Sequence, residues 1–185
     1  MTEKEKRDNG ELYLAELDEE LVKEREKAKE LCRMYNQKKY NEDKEKEEIL
    51  KVLFKSKGKN TKIEPNFYCD YGYNIILGDN FYANHNLVIL DCAEVKIGNN
   101  VYFGPNCGIY TAGHPLDFKQ RNEGLEYAKP IKIGNNVWIG GNVVILPGVT
   151  IGDNSVIGAG SIVTKDIQEN TVAVGNPCKV IKKLT

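Results

Sequence analysis

Residues 133–163 read IGNNVWIGGNVVILPGVTIGDNSVIGAGSIV. An aliphatic residue stands at every sixth position of this stretch, namely Ile133, Ile139, Ile145, Ile151, Ile157 and Val163. An α-helix places its apolar residues about 3.6 positions apart and a single strand about two apart, so neither accounts for this spacing. A period of six predicts short strands joined by turns and stacked as a left-handed parallel β-helix.

The same period extends towards the N-terminus. Leu77, Ala83 and Ile89 are in step, the spacing slips by two residues before Ile97, and it resumes through Phe103 and Ile109. Further small or branched residues stand four positions after the repeat residues, so each repeat is expected to place two side chains in a narrow interior. Turns are predicted where glycine, asparagine or aspartate tolerates positive φ or a crowded backbone. These positions are Gly98, Asn99, Gly134, Asn135, Gly152, Asp153, Asn154 and Gly158.

The first 60 residues differ from the rest and predict an α-helical extension (residues 1–60) on an all-β main domain (residues 61–185). The segment 16–37 carries apolar residues at helical spacing, with Asp18 as its predicted N-cap. A second helix is expected from about Asp43 to Lys55, with Ile49, Leu50, Leu53 and Phe54 on its apolar face. A charge-rich helical pair of this kind is typical of a solvated hairpin packed on the main domain.

Composition narrows the classes of function. The 185 residues are 41% hydrophobic and 29% charged with a net charge of -1, which gives no electrostatic reason to bind nucleic acid or an anionic membrane. The polar N-terminus and the lack of a long apolar run predict neither an export signal nor a membrane anchor. Five scattered cysteines without a CxxC motif favour neither disulfides nor a zinc site, so a cytoplasmic location is expected.

The repeat is interrupted once, between Thr111 and Pro130. Ile109 and Ile133 are 24 positions apart, four times six, so the β-helix is expected to resume in phase after an extruded loop over 111–130. Long insertions in compact domains are usually functional. This loop contains His114, one of two histidines. From the residues alone, His114 is open to two interpretations, a surface histidine or a functional one.

Three further stretches carry a family resemblance: CDYGYNIILGDNFYANHNLVILD (69–91), GPNCGIYTAGHPLD (104–117) and GNPCKVI (175–181). Together with the repeats, the order YAN, TAGHP and GNNVWIG closely resembles the hexapeptide-repeat acetyltransferases, specifically the maltose, galactoside and nodulation-type sugar O-acetyltransferases. The resemblance covers nearly the whole chain. It implies a homotrimer with active sites between subunits, acetyl-coenzyme A as the donor, and no metal.

The resemblance also implies roles for single residues on the acceptor side. TAGHP matches the catalytic histidine of the family, which makes His114 the general base for direct attack of a sugar hydroxyl on the thioester. YAN makes Asn84 the residue that orients the acceptor or stabilises the oxyanion. Tyr82, Asp70 and Asp91 match acceptor-pocket positions, although Cys92 stands where the family often has a second acid. Asp18 is chosen for an N-terminal acceptor contact. His85 follows YAN and is interpreted as structural.

On the donor side, the resemblance implies a groove in which small residues let the pantetheine arm approach the backbone as if it were an added strand. Trp138 is expected either beside this arm or in ordinary packing. Lys183 is a further basic candidate for the phosphates. The residues assigned to coenzyme A are Gly104, Trp138, Gly141, Asn142, Ala159, Thr164, Lys165, Lys179 and Lys182.

Several rival functions are weighed against this interpretation. A cysteine nucleophile would need a base, and neither Cys92 nor Cys107 has a histidine at an obvious spacing. A carbonic-anhydrase-type metal site would need three histidines per metal, and this chain has two histidines in all. An ice-binding or scaffold rod should show regular ranks of threonine. The serious alternative is an acetyltransferase of the same fold that acts on an antibiotic, an amino sugar or another small hydroxyl or amine.

Overall fold

The computed structural model describes residues 1–185, and most of the chain winds into a three-sided parallel β-helix. Each side is a sheet of short stacked strands, and we name the sides faces A, B and C in the order in which the chain visits them. Face A consists of Ser56–Lys57, Ile75–Leu77, Val95–Ile97, Ile131–Ile133 and Thr150–Ile151. Face C consists of Phe67–Cys69, Leu87–Leu90, Gly108–Tyr110, Val144–Ile145 and Ile162–Val163.

Face B is the largest of the three sheets, with seven strands against five on each of the other faces. Its parallel strands are Lys62–Ile63, Tyr82–Ala83, Tyr102–Phe103, Trp138–Ile139, Val156–Ile157 and Thr171–Val174. Lys179–Lys183 then pairs antiparallel with Thr171–Val174 and covers the last edge of this sheet. An antiparallel strand at this edge blocks further stacking of coils, which protects the sheet from pairing with another chain.

The predicted period of six is confirmed by the strand register. Leu77 pairs with Ile97, Ile97 with Ile133, and Ile133 with Ile151, so one column of aliphatic side chains runs down the interior of face A. Between 1% and 4% of each of these residues is exposed. Burial of such side chains contributes about 1.5–3 kcal/mol each to the stability of the stacked coils.

At the corners of the β-helix, glycine and asparagine meet two different structural requirements. Positive φ falls on the asparagine that precedes each face B strand, as at Asn100, Asn136 and Asn154, and the amides of these residues hydrogen-bond to one another along the corner. Gly98 instead meets a steric demand, because a Cβ there would lie 2.7 Å from the carbonyl oxygen of Gly134. Stacked corners therefore need glycine for close approach and asparagine for its backbone conformation.

The helical extension contains one more α-helix than predicted. We label its helices α1 (Glu3–Asp8), α2 (Glu19–Asn36) and α3 (Asp43–Leu53), with a 3-10 turn at Ala15–Leu17. The predicted N-cap is confirmed, since the Asp18 carboxylate accepts hydrogen bonds from the backbone N–H groups of Glu20 and Leu21. Helix α1 was not predicted. Its sequence signal is the capping box formed by Thr2 and Glu5.

The helices pack on the first coils of the β-helix. The Tyr35 hydroxyl on α2 donates to the carbonyl oxygen of Ile63 at 2.6 Å. Arg7 on α1 is 3% exposed, and its guanidinium lies over the ring of Tyr71 and donates to the Tyr73 hydroxyl. None of the helices is long and apolar enough to span a membrane.

The predicted extruded loop leaves after Thr111 and has secondary structure of its own. Ala112–Gly113 pairs antiparallel with Tyr127–Ala128, and between them lies a short helix, α4 (Phe118–Asn122), capped by Asp117. The chain rejoins the coil at Ile131, which pairs with Val95 on the preceding coil. The loop is thus a closed excursion, and the β-helix resumes in phase as predicted.

Candidate functional site

His114 lies at the base of the loop with one ring nitrogen already paired. Its Nδ1 is 3.0 Å from the carbonyl oxygen of Leu125, on the returning side of the loop. A carbonyl oxygen only accepts, so this contact assigns the proton of the neutral ring to Nδ1 and leaves the lone pair of Nε2 free. The side chain is exposed. The loop thus presents an imidazole that is fixed in orientation and able to take a proton.

The N-terminal segment holds this loop in place. Tyr13 and Glu126 exchange two backbone hydrogen bonds of 3.1 and 2.9 Å, and the Tyr13 hydroxyl donates to the Glu126 carboxylate at 3.0 Å. Tyr13 is fully buried, and burial raises the pKa of its hydroxyl. Sequence reasoning missed both residues, because 113 positions separate them and neither belongs to a motif.

Two carboxylates stack where face C passes into face A, which we call the C–A corner. Asp70 follows the first strand of face C and is partly buried, and burial raises its pKa. The Cys92 thiol on the next coil donates to its carboxylate at 3.4 Å. The guanidinium of Arg25 donates to the neighbouring Tyr71 hydroxyl at 3.0 Å. Asp70 therefore lies partly buried at the C–A corner, close to the polar groups of Cys92 and Tyr71.

Asp91 lies inside the C–A corner. It is 0% exposed, and one carboxylate oxygen accepts hydrogen bonds from the backbone N–H groups of Asp70 and Tyr71 at 3.0 and 2.9 Å. Burial raises its pKa to about 6 against the lowering effect of these hydrogen bonds. These hydrogen bonds give Asp91 a positioning role for the turn that carries Asp70, and its predicted substrate contact stays a prediction.

The Asp18 carboxylate makes its hydrogen bonds within the helical extension. One carboxylate oxygen caps α2 and the other accepts from the backbone N–H of Lys4 at 3.1 Å, which joins α1 to α2. Burial acts to raise its pKa, but these backbone hydrogen bonds outweigh that effect and lower it. The capping role explains Asp18 without an acceptor, and its predicted substrate contact stays a prediction.

Asn84 lies at a different corner, where face B passes into face C, which we call the B–C corner. Its side-chain oxygen accepts from the backbone N–H of His85 at 2.7 Å. This hydrogen bond leaves the amide NH₂ as the free, donating end of the side chain. His85 itself contacts the carbonyl oxygen of Pro65 through Nδ1.

Small residues occupy the coils that follow Asn84 at the B–C corner. A Cβ at Gly104 would collide with the backbone of Gly141, and a Cβ at Gly140 would lie 2.6 Å from the backbone nitrogen of Ala159. Gly104, Gly141 and Ala159 thus form a strip of small residues that are partly or fully exposed at the same corner as Asn84. Partly exposed backbone can pair with the amides of an extended ligand. Asn142 is exposed at the same corner.

A cleft of about 400 Å³ adjoins this strip on the outside of face B. Trp138 is 59% exposed on its wall and therefore does not belong to the core. The rings of Tyr82 and Tyr102, on the two preceding coils, are 6.4 Å apart. The residues that line the cleft are Tyr82, Asn84, Tyr102, Phe103, Gly104 and Trp138.

The predicted site residues thus separate into two groups on one chain. Asp70 and the His114 loop lie at the C–A corner, where Thr164 and Lys165 follow the last strand of face C. Asn84, Gly104, Gly141 and Ala159 lie at the B–C corner. Lys179 and Lys182 are exposed on the C-terminal strand of face B. A single chain does not bring His114 and Asn84 to the same corner.

The cysteines and potential metal ligands contribute no competing centre. All five cysteines are free and buried, and burial raises the pKa of the Cys92 and Cys107 thiols. A raised pKa disfavours the thiolate that a nucleophile needs. No group of three or more His, Cys, Asp or Glu side chains is close enough together to hold a metal ion.

Comparison with known proteins gives the family. Residues 6–58 match the maltose acetyltransferase hexapeptide capping motif, and residues 130–165 match six repeats of the bacterial transferase hexapeptide. The chain belongs to the hexapeptide-repeat acetyltransferases of the maltose and galactoside O-acetyltransferase type.

Three solved structures illustrate this similarity. A maltose O-acetyltransferase from Clostridium difficile 630 is 58% identical with a TM-score of 0.98, covering 100% of this chain and 98% of its own. A galactoside acetyltransferase in complex with coenzyme A is 48% identical with a TM-score of 0.97, covering 100% and 92%. A hexapeptide-repeat acetyltransferase from Vibrio cholerae, complexed with acetyl-coenzyme A, is 37% identical with a TM-score of 0.92, covering 100% of both chains. The protein is an acetyl-coenzyme A-dependent O-acetyltransferase.

Proposed function

We propose that this acetyltransferase acts on a hydroxyl group of a sugar, with His114 as the general base. The observation that carries this proposal is the Leu125 carbonyl at Nδ1 of His114, which leaves Nε2 unprotonated and free. Histidine is the side chain most often used as a general base, and we expect the protein to work in the cytoplasm.

The reaction proceeds by direct attack. Nε2 of His114 accepts the proton of the acceptor hydroxyl while the hydroxyl oxygen forms a bond to the thioester carbonyl carbon. The resulting tetrahedral oxyanion accepts a hydrogen bond from the amide NH₂ of Asn84, a neutral donor aimed at the charge that develops. The C–S bond then breaks, and the departing sulfur takes the proton from His114. The products are free coenzyme A and the sugar acetate.

The donor is expected in the cleft on face B. The pantetheine arm can lie along the glycine strip at the B–C corner, beside the exposed ring of Trp138. Lys179 and Lys182, on the C-terminal strand, are candidates for the phosphates because each carries a mobile point charge. Thr164 and Lys165 lie on the other corner, so they would reach the same donor only from a neighbouring subunit.

The active site is accordingly proposed to form between subunits of a homotrimer. His114 and Asp70 lie at the C–A corner and Asn84 at the B–C corner, so neither corner alone carries both the base and the oxyanion donor. A cyclic assembly that sets the C–A corner of one copy against the B–C corner of the next completes three equivalent sites.

The test is release of coenzyme A thiol from acetyl-coenzyme A with a panel of sugars, amino sugars and amino acids. Turnover with maltose, glucose or a galactoside is the expected result. Preferred turnover with an amino sugar or an antibiotic would instead support the alternative acceptor class.

The His114→Ala variant should lower kcat by at least about 10²-fold, the scale of a lost general base. Gln120→Ala, in α4 of the same loop, is the matched control and should retain wild-type kcat. A His114→Ala enzyme with near-normal kcat would exclude His114 as the base.

A further inference from the structure

Three concavities on the outside of face B connect through shared residues. The donor cleft shares Tyr82 and Asn84 with a second hollow of about 420 Å³, which is also lined by Lys38, Tyr40 and Glu64. This hollow in turn shares Tyr40, Lys46 and Glu64 with a third of about 430 Å³, which extends between α3 and the first strand of face B. We call the second and third hollows together the helix-side groove.

Asn84 stands at the junction of the donor cleft and the helix-side groove. A thioester carbonyl stabilised by Asn84 has the coenzyme on one side, along the glycine strip. The open space on the other side is the helix-side groove. An acceptor whose hydroxyl reaches the thioester therefore continues into this groove if it is larger than a single ring.

Tyr40 is the most exposed large side chain of the groove. It is 78% exposed in the turn between α2 and α3. The ammonium groups of Lys46 and Lys62 lie 5.8 and 5.6 Å from its ring centroid and hold it only weakly, because both are at the surface. An aromatic ring that is open to solvent beside hydrogen-bonding groups provides an amphipathic platform of the kind that binds a polar ligand with an apolar face.

The polar groups of the groove suit ring hydroxyls. Lys38 and Lys46 supply donors, and Glu64, which is 15% exposed and paired with Lys62 at 2.9 Å, supplies acceptor oxygens. These charges are of both signs, so the groove favours a neutral polyhydroxylated ligand over an anion or a cation. A sugar ring presents this combination, with hydroxyl groups at its rim and C–H groups on its face.

We infer that the helix-side groove binds the second ring of a disaccharide or glycoside acceptor, with Tyr40 as the platform on which that ring packs. This inference rests on the proposed function. It makes Tyr40 a specificity-determining residue and assigns no role to it in the chemical step.

The experiment compares kcat/KM for glucose, maltose and maltotriose in the wild-type enzyme and in Tyr40→Ala. The wild type should prefer maltose to glucose. Tyr40→Ala should lose about tenfold in kcat/KM for maltose and maltotriose, the equivalent of 1.4 kcal/mol, with the loss in KM and no change for glucose. Tyr40→Phe should keep the wild-type preference because it retains the ring.

Tyr68→Ala is the matched control, since Tyr68 is 51% exposed on face C and does not line the groove. An equal loss on glucose and maltose, no loss at all, or a changed oligomeric state of Tyr40→Ala in sedimentation would each overturn the inference. The last result would mean that a neighbouring subunit fills the groove. A wild-type enzyme that acetylates neither these three sugars nor a galactoside would instead overturn the proposed function.

Discussion

At the scale of the residue, hydrogen bonds made within the fold decide which end of each polar side chain is available. The Leu125 carbonyl oxygen accepts a hydrogen bond from Nδ1 of His114, and the backbone N–H of His85 donates one to the side-chain oxygen of Asn84. The groups left free are the Nε2 lone pair of His114 and the NH₂ group of Asn84. Those are the two functions that acyl transfer requires, a proton acceptor and an oxyanion donor.

Variants of Asn84 separate these two ends. Asn84→Ala should lower kcat by about 10²–10³-fold, the range for loss of one oxyanion donor. Asn84→Asp retains an oxygen for the His85 N–H and loses the NH₂ group, so steady-state kinetics should show a loss of similar size. An Asn84→Asp enzyme with wild-type kcat would mean that Asn84 acts only by shaping the corner.

Asp91 should make stability depend on pH. Its pKa is about 6 in the folded protein against an ordinary value of 3.8, so the folded state holds the proton more tightly than the unfolded chain. The stability that this group contributes is present in full below pH 3.8 and is lost as the pH rises through 6. The loss amounts to about 3 kcal/mol at 1.36 kcal/mol per pKa unit.

Asp91→Asn removes this titration while keeping an oxygen for the Asp70 and Tyr71 N–H groups. In urea unfolding at fixed protein concentration, the variant should gain stability relative to wild type between pH 4 and pH 7. A constant difference across that range would show that Asp91 does not titrate there.

At the scale of the element, local signals were readable from the sequence and distant pairings were not. The cap at Asp18, the start of α2 and the boundaries of the loop follow from nearby residue types. The pairing of Tyr13 with Glu126 depends on where two segments that are remote in sequence meet. From the sequence alone, the helical extension is therefore predicted only as a solvated hairpin. In the folded protein its N-terminal segment fixes the loop that carries His114.

Tyr13→Phe tests this joining. It removes a buried hydroxyl from its Glu126 partner and keeps the ring, so the free energy of unfolding should fall by about 1–2 kcal/mol. kcat should also fall, because the base of the loop is less firmly held, while the affinity for coenzyme A stays the same. Urea unfolding, steady-state kinetics and calorimetry check the three expectations. Unchanged kcat in a destabilised variant would limit Tyr13 to a structural role.

At the scale of the whole molecule, the β-helix was predictable because each coil repeats one local rule. Ile133 and Ile151 pair for the same reason as Leu77 and Ile97. The active site follows no such repetition. Its proposed halves lie at two corners, and the expectation that they meet in a homotrimer comes from the family resemblance rather than from the period of six.

Mixed trimers test the proposed assembly. His114→Ala and Asn84→Ala chains, each inactive alone, should regain activity after joint unfolding and refolding at equal amounts. If each site joins one corner from each of two copies, about a quarter of the sites combine an intact histidine with an intact asparagine. Thiol release should recover to that fraction of wild type. Co-refolded chains that stay inactive would place both residues in a site within one subunit.

The closed excursion at 111–130 leaves and rejoins neighbouring rungs of the same scaffold. Its length and composition are therefore free of the constraint that governs every other part of the β-helix, where one added residue would shift all following side chains out of register. Insertions or substitutions in this segment can therefore accumulate during evolution without altering how the coils stack, provided that the pairing of Tyr13 with Glu126 is kept.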